Sequence, residues 1–209
     1  MISSNEILIE SMIWTGAIKT PRIINAFKNI DRKYFVPQDL TEYIYNDAPL
    51  PIGKDQTISQ PTTVAIMLEL LEAEEGDSVL DIGSGSGWTT SLLGLIVGEH
   101  GRVTGLERIN ELVDLGRKNL KQFGFNHADI VRSEEELGLP EKTFDAILVS
   151  ASASEIPYKL LDQLNIGGRL VIPVRNSIFR FKKLSSTEIK KEEYPGFIFV
   201  PLVVGEGNG

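Results

Sequence analysis

Between residues 60 and 175 the chain alternates short apolar runs with segments in which apolar residues recur every three or four positions. Short apolar runs are typical of buried strands, and the longer spacing is typical of amphipathic helices. The strands are predicted at 78–82, 102–107, 128–131, 144–150 and 169–174. The helices are predicted at 62–71, 88–97 and 111–123, with a further helix that carries Leu160, Leu161 and Leu164. This alternation predicts an α/β fold with a doubly wound, mostly parallel sheet.

Both flanks of the alternating region have patterns of their own. Residues 4–29 contain two helical stripes, which predict N-terminal helices packed on the main domain. The pair Thr20-Pro21 between them is typical of a helix N-cap followed by its first helical residue. Apolar positions over 177–181 and again over 197–204 predict C-terminal antiparallel strands, and residues 205–209 are expected to form a frayed tail.

The strongest local signal is the segment Gly83-Ser84-Gly85-Ser86-Gly87, which lies between the strand at 78–82 and the helix at 88–97. Glycine allows positive φ and lets a ligand approach the backbone closely. A strand, a glycine-rich turn and a helix N-terminus form the first crossover of nucleotide-binding α/β domains. The alternative is an ordinary connection made of small residues.

Two acidic positions follow this turn at the carboxyl ends of later strands. Glu107 closes the next strand, where a doubly wound fold places a carboxylate that accepts hydrogen bonds from ribose hydroxyls. Its alternative role is that of a solvent-facing acid at a strand end. Glu134 begins the triple acid 134–136 after the following strand, and its position predicts a carboxylate near the same crevice.

Residues 46–61 precede the alternating region and have neither a helical nor a strand period. They contain three prolines, one glycine and several small polar residues. Long irregular segments in compact domains are often binding loops, although a plain linker is the alternative. The function of this segment therefore depends on what lies beside it.

Composition excludes several kinds of chemistry. The 209 residues have 42% hydrophobic and 24% charged side chains, which is ordinary for one soluble domain. The net charge of −8 disfavours nucleic-acid binding, and the basic residues at 180–183 and 190–191 are expected to lie at solvated strand ends or loops. There is no cysteine, and His100 and His127 lack metal-ligand spacing, so no metal site is expected. No signal peptide or membrane span is apparent, and we expect a soluble cytoplasmic protein that does not bind membranes.

The glycine spacing and the acids distinguish between two classes of nucleotide. A dinucleotide presents a pyrophosphate, which favours G-x-G-x-x-G and no nearby carboxylate. Here Gly83, Gly85 and Gly87 are spaced G-x-G-x-G, and Asp81 and Glu107 lie close by in the chain. S-adenosylmethionine carries a sulfonium and an ammonium, which acidic side chains attract. The pattern therefore favours S-adenosylmethionine as the cofactor.

At this point the chain resembles a known family, the protein-L-isoaspartate (D-aspartate) O-methyltransferases. The resemblance is carried by 31–37, 49–53, Gln-Thr-Ile-Ser-Gln-Pro at 56–61, 81–87, Glu107-Arg108, 162–164 and 199–202. The glycine turn is generic to methyltransferases, whereas the segment at 56–61 is more specific. The resemblance implies methyl transfer from S-adenosylmethionine to the α-carboxylate of L-isoaspartyl residues in damaged proteins and peptides. The methyl ester then closes to a succinimide, which hydrolyses partly to normal aspartate.

The resemblance also implies roles for individual residues. Ser59 corresponds to the active-site serine, and the substrate-binding residues around it are Thr57, Ile58, Ser59 and Gln60. The cofactor-binding residues are Asp81, Gly83, Ser84, Gly85 and Gly87 of the turn, Glu107 and Arg108 at the ribose, and Glu134 near the adenine. Without the family pattern, Ser59 would be interpreted as a turn serine that satisfies local backbone.

The chain departs from the family pattern at several sites, including Thr62 after Gln-Pro and Trp88 in place of a tyrosine. Lys54-Asp55 replaces a pair such as His-Gly, and Ser133-Glu134-Glu135 replaces Gly-Asp-Gly. Two other functions therefore stay open: a methyltransferase of the same fold acting on another carboxylate or a small molecule, and an inactive protein that binds S-adenosylmethionine. We expect a monomer of one domain, with an N-terminal helical extension and substrate loop (1–60), a cofactor-binding core (61–175) and C-terminal strands (176–209).

Overall fold

The computed structural model of the chain describes residues 4–199 and residue 202. The helices are α1 (Asn5–Trp14), α2 (Pro21–Asn29), α3 (Pro61–Leu71), α4 (Trp88–Val97), α5 (Asn110–Lys121) and α6 (Lys159–Asp162). The strands are β1 (Leu50–Gly53), β2 (Gln56–Ile58), β3 (Ser78–Ile82), β4 (Arg102–Glu107), β5 (Ala128–Arg132), β6 (Phe144–Val149), β7 (Leu164–Val174), β8 (Ser177–Lys183) and β9 (Ile189–Pro195). Two 3₁₀ turns, Arg32–Phe35 and Gln38–Tyr43, lie between α2 and β1.

Seven strands form one sheet in the order β5-β4-β3-β6-β7-β8-β9, and β1 pairs with β2 in a separate hairpin. Strands β3 to β7 pair in parallel, whereas β8 and β9 are antiparallel. The chain runs outward from β3 to β5 and then returns to β6 on the other side of β3. Open α/β sheets bind ligands at this kind of switch point, beyond the carboxyl ends of the strands. The predicted doubly wound, mostly parallel sheet is confirmed.

The two faces of the sheet are covered differently within the described residues. Val79 and Val103 face a core cluster to which α1–α5 all contribute. Their neighbours Leu80 and Leu106 face a second cluster, which includes residues of α6 and loop residues such as Leu137. These strand residues are almost completely buried on both faces. Most of the helical cover therefore lies on one face, and loops contribute to closing the other.

The N-terminal helices dock on the main domain through side-chain contacts. Pro21 is the first residue of α2, as predicted, but Thr20 makes no side-chain cap. Instead the Thr20 hydroxyl donates to Glu69 Oε2 of α3 at 2.7 Å, and the Thr20 N–H donates to Glu69 Oε1 at 2.8 Å. Thr20 thus joins α2 to α3 rather than capping its own helix.

Predictions about the C-terminal third need correction. The helix before β7 ends at Asp162, so Leu164 belongs to the strand. Among the described residues the last strand is Ile189–Pro195, which the pattern did not predict. Of the strand predicted at 197–204, residues 197–199 and 202 are not in a strand, and the others lie outside the described residues. A charged sequence forms β9 because an edge strand needs backbone pairing and exposes its side chains.

The basic cluster at 180–183 is also not a solvated strand end. Arg180 lies within β8 and is buried. Its guanidinium donates to the Leu70 carbonyl at 2.7 Å and forms ion pairs with Glu72 and Glu192. The periodic pattern gave no sign of these partners because they come from distant parts of the chain.

Candidate active site

The glycine turn (residues 83–87) connects β3 to α4 at the switch point of the sheet. Gly83, Gly85 and Gly87 have φ of +82°, +52° and +87°, where other residues lose about 1–2 kcal/mol. The N–H groups of Gly83 and Ser84 donate to the Leu106 carbonyl of β4 at 2.8 and 3.0 Å. The main chain of the turn is therefore fixed against the neighbouring strand.

Helix α5 packs against this turn at a pair of glycines. A Cβ at Gly87 would lie 3.0 Å from the Gly116 carbonyl oxygen, and a Cβ at Gly116 would lie 3.1 Å from the Gly85 carbonyl oxygen. Gly116 was not among the predicted site residues. Because glycine inside a helix costs about 1 kcal/mol relative to alanine, its presence in the pattern at 111–123 was the signal that could have identified it.

Asp81, in β3 just before the turn, stabilises the start of α4. It is completely buried, and its Oδ2 accepts hydrogen bonds from the hydroxyls of Thr89 and Thr90 at 2.7 and 2.6 Å. Burial raises the pKa of Asp81 to about 6, and the hydroxyl donors oppose that rise. Asp81 is not among the residues that line the cavity described below.

Glu107 joins the end of β4 to the turn. Its Oε2 accepts the Gly85 N–H at 3.0 Å, and its Oε1 accepts the Ile109 N–H at 2.9 Å. The side chain is 6% exposed. A carboxylate therefore lies against the glycine turn at the carboxyl end of β4, where the sequence predicts a ribose-binding acid.

The Ser59 loop (residues 46–60) lies on the other side of the glycine turn. It contains the hairpin of β1 and β2, which the sequence pattern did not predict because each strand has only three or four residues. A Cβ at Gly85 would lie 3.2 Å from Ile52 Cδ1, so the hairpin approaches the turn directly. Lys54 at the hairpin tip forms an ion pair with Glu111 in the first turn of α5.

One cavity brings the two segments together. Its lining residues are Thr57, Ile58 and Ser59 of the Ser59 loop, Gly83, Ser84, Gly85 and Ser86 of the glycine turn, and Val64, Trp88, Thr89 and Ser150. Ser84 is 4% exposed, and its Oγ has no hydrogen-bond partner within residues 4–199 and 202. A buried hydroxyl without a partner is costly, so it suits a cavity that accepts a polar ligand.

The remaining predicted residues lie outside this cavity. Gln60 binds the loop itself, since its Nε2 donates to Asp47 Oδ2 at 3.0 Å. Arg108 and Glu134 are exposed after the carboxyl ends of β4 and β5. They share an edge of the sheet, because the Ser133 N–H donates to the Glu107 carbonyl at 2.9 Å. The structure thus places Arg108 and Glu134 on the crevice side without bringing them to Ser59.

Sequence reasoning missed Arg32, the largest fully buried side chain beside the site. Its guanidinium donates to the Ser59 carbonyl oxygen at 3.1 Å. Burial lowers the pKa of Arg32 to about 10, and the charge of Asp47 opposes that change. Residues 31–37 were identified only as part of the family motif, and periodicity gave no signal for a buried guanidinium at position 32.

Among the described residues, no group of three or more His, Cys, Asp or Glu side chains could hold a metal ion. Among the helices formed by the same residues, none is long and apolar enough to cross a bilayer.

A mostly parallel sheet with a glycine turn at its switch point and a carboxylate closing the next strand is the arrangement of Rossmann-like nucleotide-binding proteins. Among these, the class of S-adenosylmethionine-dependent methyltransferases is the one that the glycine spacing favours. The sequence profile described as "Protein-L-isoaspartate(D-aspartate) O-methyltransferase (PCMT)" matches residues 3–207. The chain belongs to this family.

Relatives from several organisms support this membership. The chain is 43% identical to a protein-L-isoaspartate O-methyltransferase of Methanococcoides burtonii, over 87% of this chain and 92% of that protein. It is 40% identical to the enzyme of the same name from Methanopyrus kandleri, over 98% and 93% of the two chains. A Plasmodium falciparum protein assigned to the same activity and crystallised with S-adenosyl-L-homocysteine superposes with a TM-score of 0.85 at 27% identity, covering 97% of this chain and 99% of that one.

Proposed function

We propose that this chain transfers the methyl group of S-adenosylmethionine to the α-carboxylate of L-isoaspartyl residues in damaged proteins and peptides, with Ser59 orienting the acceptor. The observation that carries the proposal is the shared cavity, in which Thr57, Ile58 and Ser59 lie beside the glycine turn. A donor bound at the turn and an acceptor bound at the loop would meet there.

The reaction matches the side chains present around the cavity. An acceptor carboxylate is already ionised at neutral pH, so its attack on a methyl group needs no general base. The cavity lining contains neither histidine nor a carboxylate, which this chemistry does not require. Holding the oxygen, the methyl carbon and the sulfur in line can contribute about 7–11 kcal/mol to catalysis.

Ser59 is proposed to hold the acceptor carboxylate in that line. Its hydroxyl would donate a hydrogen bond to one carboxylate oxygen and leave the other free to attack. Thr57, Ile58 and Gln60 are proposed to bind the adjoining peptide, because Thr57 and Ile58 line the same cavity and Gln60 continues the loop.

The glycine turn and its acids are proposed to bind the cofactor. S-adenosylmethionine supplies a methyl group on a positively charged sulfur. Ser84 Oγ has the free hydrogen-bonding capacity to bind a polar group of this ligand, and Glu107 would accept from its ribose. Gly83, Gly85 and Gly87 would allow its close approach to the backbone.

The other predicted residues have less direct roles in this proposal. Asp81 supports α4 through Thr89 and Thr90 and adds a negative charge near the positive sulfur. Arg108 and Glu134 are proposed to contact the ribose and adenine ends from the exposed edge of the sheet. We also propose a single domain that works as a cytoplasmic monomer, without nucleic acid or membrane; the net charge of −8 favours a monomer and repels nucleic acid.

The product of the transfer is a methyl ester that is chemically activated. The neighbouring backbone nitrogen attacks the ester carbonyl, methanol leaves, and a succinimide forms. Water then opens the succinimide and returns part of the material to normal aspartate. The chain is therefore expected to start a repair process whose later steps need no further group from its cavity.

The test offers labelled S-adenosylmethionine with matched isoaspartyl and aspartyl peptides. We expect base-labile label on the isoaspartyl peptide alone, and a fall in kcat of about 10- to 100-fold in Ser59→Ala because the acceptor loses its orientation. Calorimetry with S-adenosylhomocysteine should show unchanged affinity in Ser59→Ala.

A second variant tests the cofactor side separately. Gly85→Val places a branched side chain at φ +52° beside Ile52, so we expect loss of S-adenosylhomocysteine binding in a folded protein. Unchanged affinity in this variant would contradict the role of the turn. In the wild type, binding without any transfer would favour the inactive alternative, and label only on small carboxylic acids would favour another acceptor.

A further inference from the structure

The buried Arg32 guanidinium binds the main chain of the Ser59 loop and of Ile44 just before it. Its Nη1 donates to the carbonyl oxygens of Ile44 and Asn46 at 2.8 and 3.1 Å. Its Nη2 donates to those of Ala48 and Ser59 at 2.8 and 3.1 Å. One side chain therefore binds both ends of residues 44–59, and residue 59 is among the four it binds directly.

These contacts hold a segment that has little other regular structure. Within residues 44–59, only the short hairpin of β1 and β2 has strand pairing. The contact to the Ile44 carbonyl is buried and the other three are partly buried, so the guanidinium replaces water as their donor. The Asn46 carbonyl also accepts the Ala48 N–H at 2.8 Å. The planar fork of arginine presents donors in a fixed geometry that lysine does not have. The loop thus takes its shape partly from a residue that precedes it.

The same guanidinium also contacts the cofactor side of the cavity. Arg32 Cζ lies 5.5 Å from the centroid of the Trp88 ring. Trp88 is the first residue of α4 directly after Gly87, and it lines the cavity. Its ring is fixed in turn, since Trp88 Nε1 donates to the Ile30 carbonyl at 3.2 Å.

We propose that Arg32 is a positioning residue that sets the location of Ser59 relative to the glycine turn. The proposal rests on the proposed role of Ser59 in methyl transfer. Arg32 acts through the Ser59 carbonyl on one side and the Trp88 ring on the other, so it fixes the separation of the two. Because a displacement of about 1 Å can cost about 100-fold in rate, this contact affects turnover more than cofactor binding.

The test begins with Arg32→Lys, which keeps the charge and removes the fork. We expect kcat for the isoaspartyl peptide to fall about 10- to 100-fold, while the affinity for S-adenosylhomocysteine stays within about twofold. The same substitution is then made in Ser59→Ala. If Arg32 acts through Ser59, Arg32→Lys should lower kcat by less than about twofold in that background, because the effects of substitutions at contacting residues are not additive.

Arg180→Lys is the matched control. Arg180 is also a buried arginine that donates to a carbonyl, but it does so in β8, away from the cavity. We expect it to lower the melting temperature and leave kcat near the wild-type value. The positioning role would be overturned if Arg32→Lys lowered kcat by the same factor in the wild type and in Ser59→Ala. It would also be overturned if Arg180→Lys lowered kcat as much as Arg32→Lys does.

A measurement independent of activity separates this proposal from the function it rests on. Hydrogen exchange should show faster exchange in residues 44–60 of Arg32→Lys and unchanged exchange in 83–97. If the wild type fails to methylate isoaspartyl peptides, the proposed function fails, whereas unchanged exchange in 44–60 counts against Arg32 alone. Should Arg32→Lys not fold, Arg32→Gln keeps a side-chain donor but removes the fork that binds the carbonyls of Ala48 and Ser59, and should give the same rate loss and the same dependence on Ser59. No rate loss in that variant would overturn the proposal.

Discussion

The glycine turn and the Ser59 loop line the same cavity but are held by different kinds of contact. The turn is fixed by main-chain groups and by short distances: its N–H groups bind Leu106 and Glu107, and α5 meets it at Gly116. The loop is held by side chains that reach it from elsewhere, Arg32 from the 3₁₀ turn after α2 and Glu111 from α5.

This difference suggests how each segment responds to change. At Gly87 the turn packs against the backbone of α5 with no room for added atoms, so even a methyl group disturbs it there. A loop held by side chains tolerates changes on its exposed residues but depends on the few groups that bind it. The cofactor side is therefore expected to be rigid and intolerant, and the acceptor side to be adjustable within limits set by Arg32.

A pair of glycine substitutions should show this contrast most strongly. Gly87 in the turn and Gly53 in the loop have nearly the same φ, +87° and +90°, so alanine costs each about 1–2 kcal/mol of backbone strain. Only at Gly87 would the methyl also meet Ile130 and the Gly116 carbonyl, both at 3.0 Å, which adds about 1–3 kcal/mol. Denaturant unfolding should show a larger loss for Gly87→Ala.

Gly53→Ala is the control in this pair, because no described atom lies within 4 Å of its added methyl. Affinity for S-adenosylhomocysteine should fall at least tenfold in Gly87→Ala and stay near the wild-type value in Gly53→Ala. Equal losses of stability in the two variants would mean that packing against α5 does not distinguish the segments.

Lowering the pH should raise the free energy of unfolding through Asp81, which lies in β3 just before the glycine turn. It should leave the charge of Arg32 beside the Ser59 loop unchanged. The pKa of Asp81 is about 6 in the folded protein, against an ordinary value of 3.8, so the folded state binds this proton more tightly. Its contribution to the free energy of unfolding is full below about pH 4 and is lost as the pH rises through 6, a change of about 3 kcal/mol. Arg32 stays charged across this range because its pKa is about 10.

Asp81→Asn tests that contribution, since the amide oxygen can still accept from Thr89 and Thr90. The difference in unfolding free energy between Asp81→Asn and the wild type should rise in favour of the variant from pH 4 to pH 7. Parallel pH profiles for the two proteins would contradict the assignment of this dependence to Asp81.

The two segments also differ in how far their structure could be predicted from the sequence. The bounds of β3, α4 and β4 follow the predicted 78–82, 88–97 and 102–107. Apolar runs bounded by glycine determine these elements locally, and a doubly wound fold then places their carboxyl ends together. Local rules suffice because the turn is built from neighbouring elements.

The family motif predicted the role of the Ser59 loop, but the sequence did not predict its conformation. Its strands are too short for a period to appear, and proline at position 51 obscures the alternation. The buried role of Arg32 depends on four carbonyls between residues 44 and 59, and no pattern around position 32 encodes them. Long-range contacts between side chain and main chain are the part that sequence reasoning could not supply.

Substitutions at the hairpin tip should give the smallest change in the free energy of unfolding, and the only increase expected from a substitution in these two segments. Lys54 and Asp55 have φ of +54° and +55°, as in a two-residue turn that favours Asn-Gly. Within the described residues, Lys54 forms an ion pair with Glu111, whereas the Asp55 side chain forms no hydrogen bond or ion pair. Asp55→Gly should therefore raise the free energy of unfolding by about 1 kcal/mol, because it relieves strain and removes no contact.

Lys54→Gly is the matched variant at the neighbouring position. Its free energy of unfolding should rise less, because it also loses the ion pair with Glu111. Raising the salt concentration should narrow the difference between the two variants, since the ion pair is exposed and screened. Donor affinity and kcat should change little in Asp55→Gly if the loop is adjustable at its tip and fixed at Ser59. A large fall in kcat in this variant would place the critical support of the loop at the hairpin rather than at Arg32.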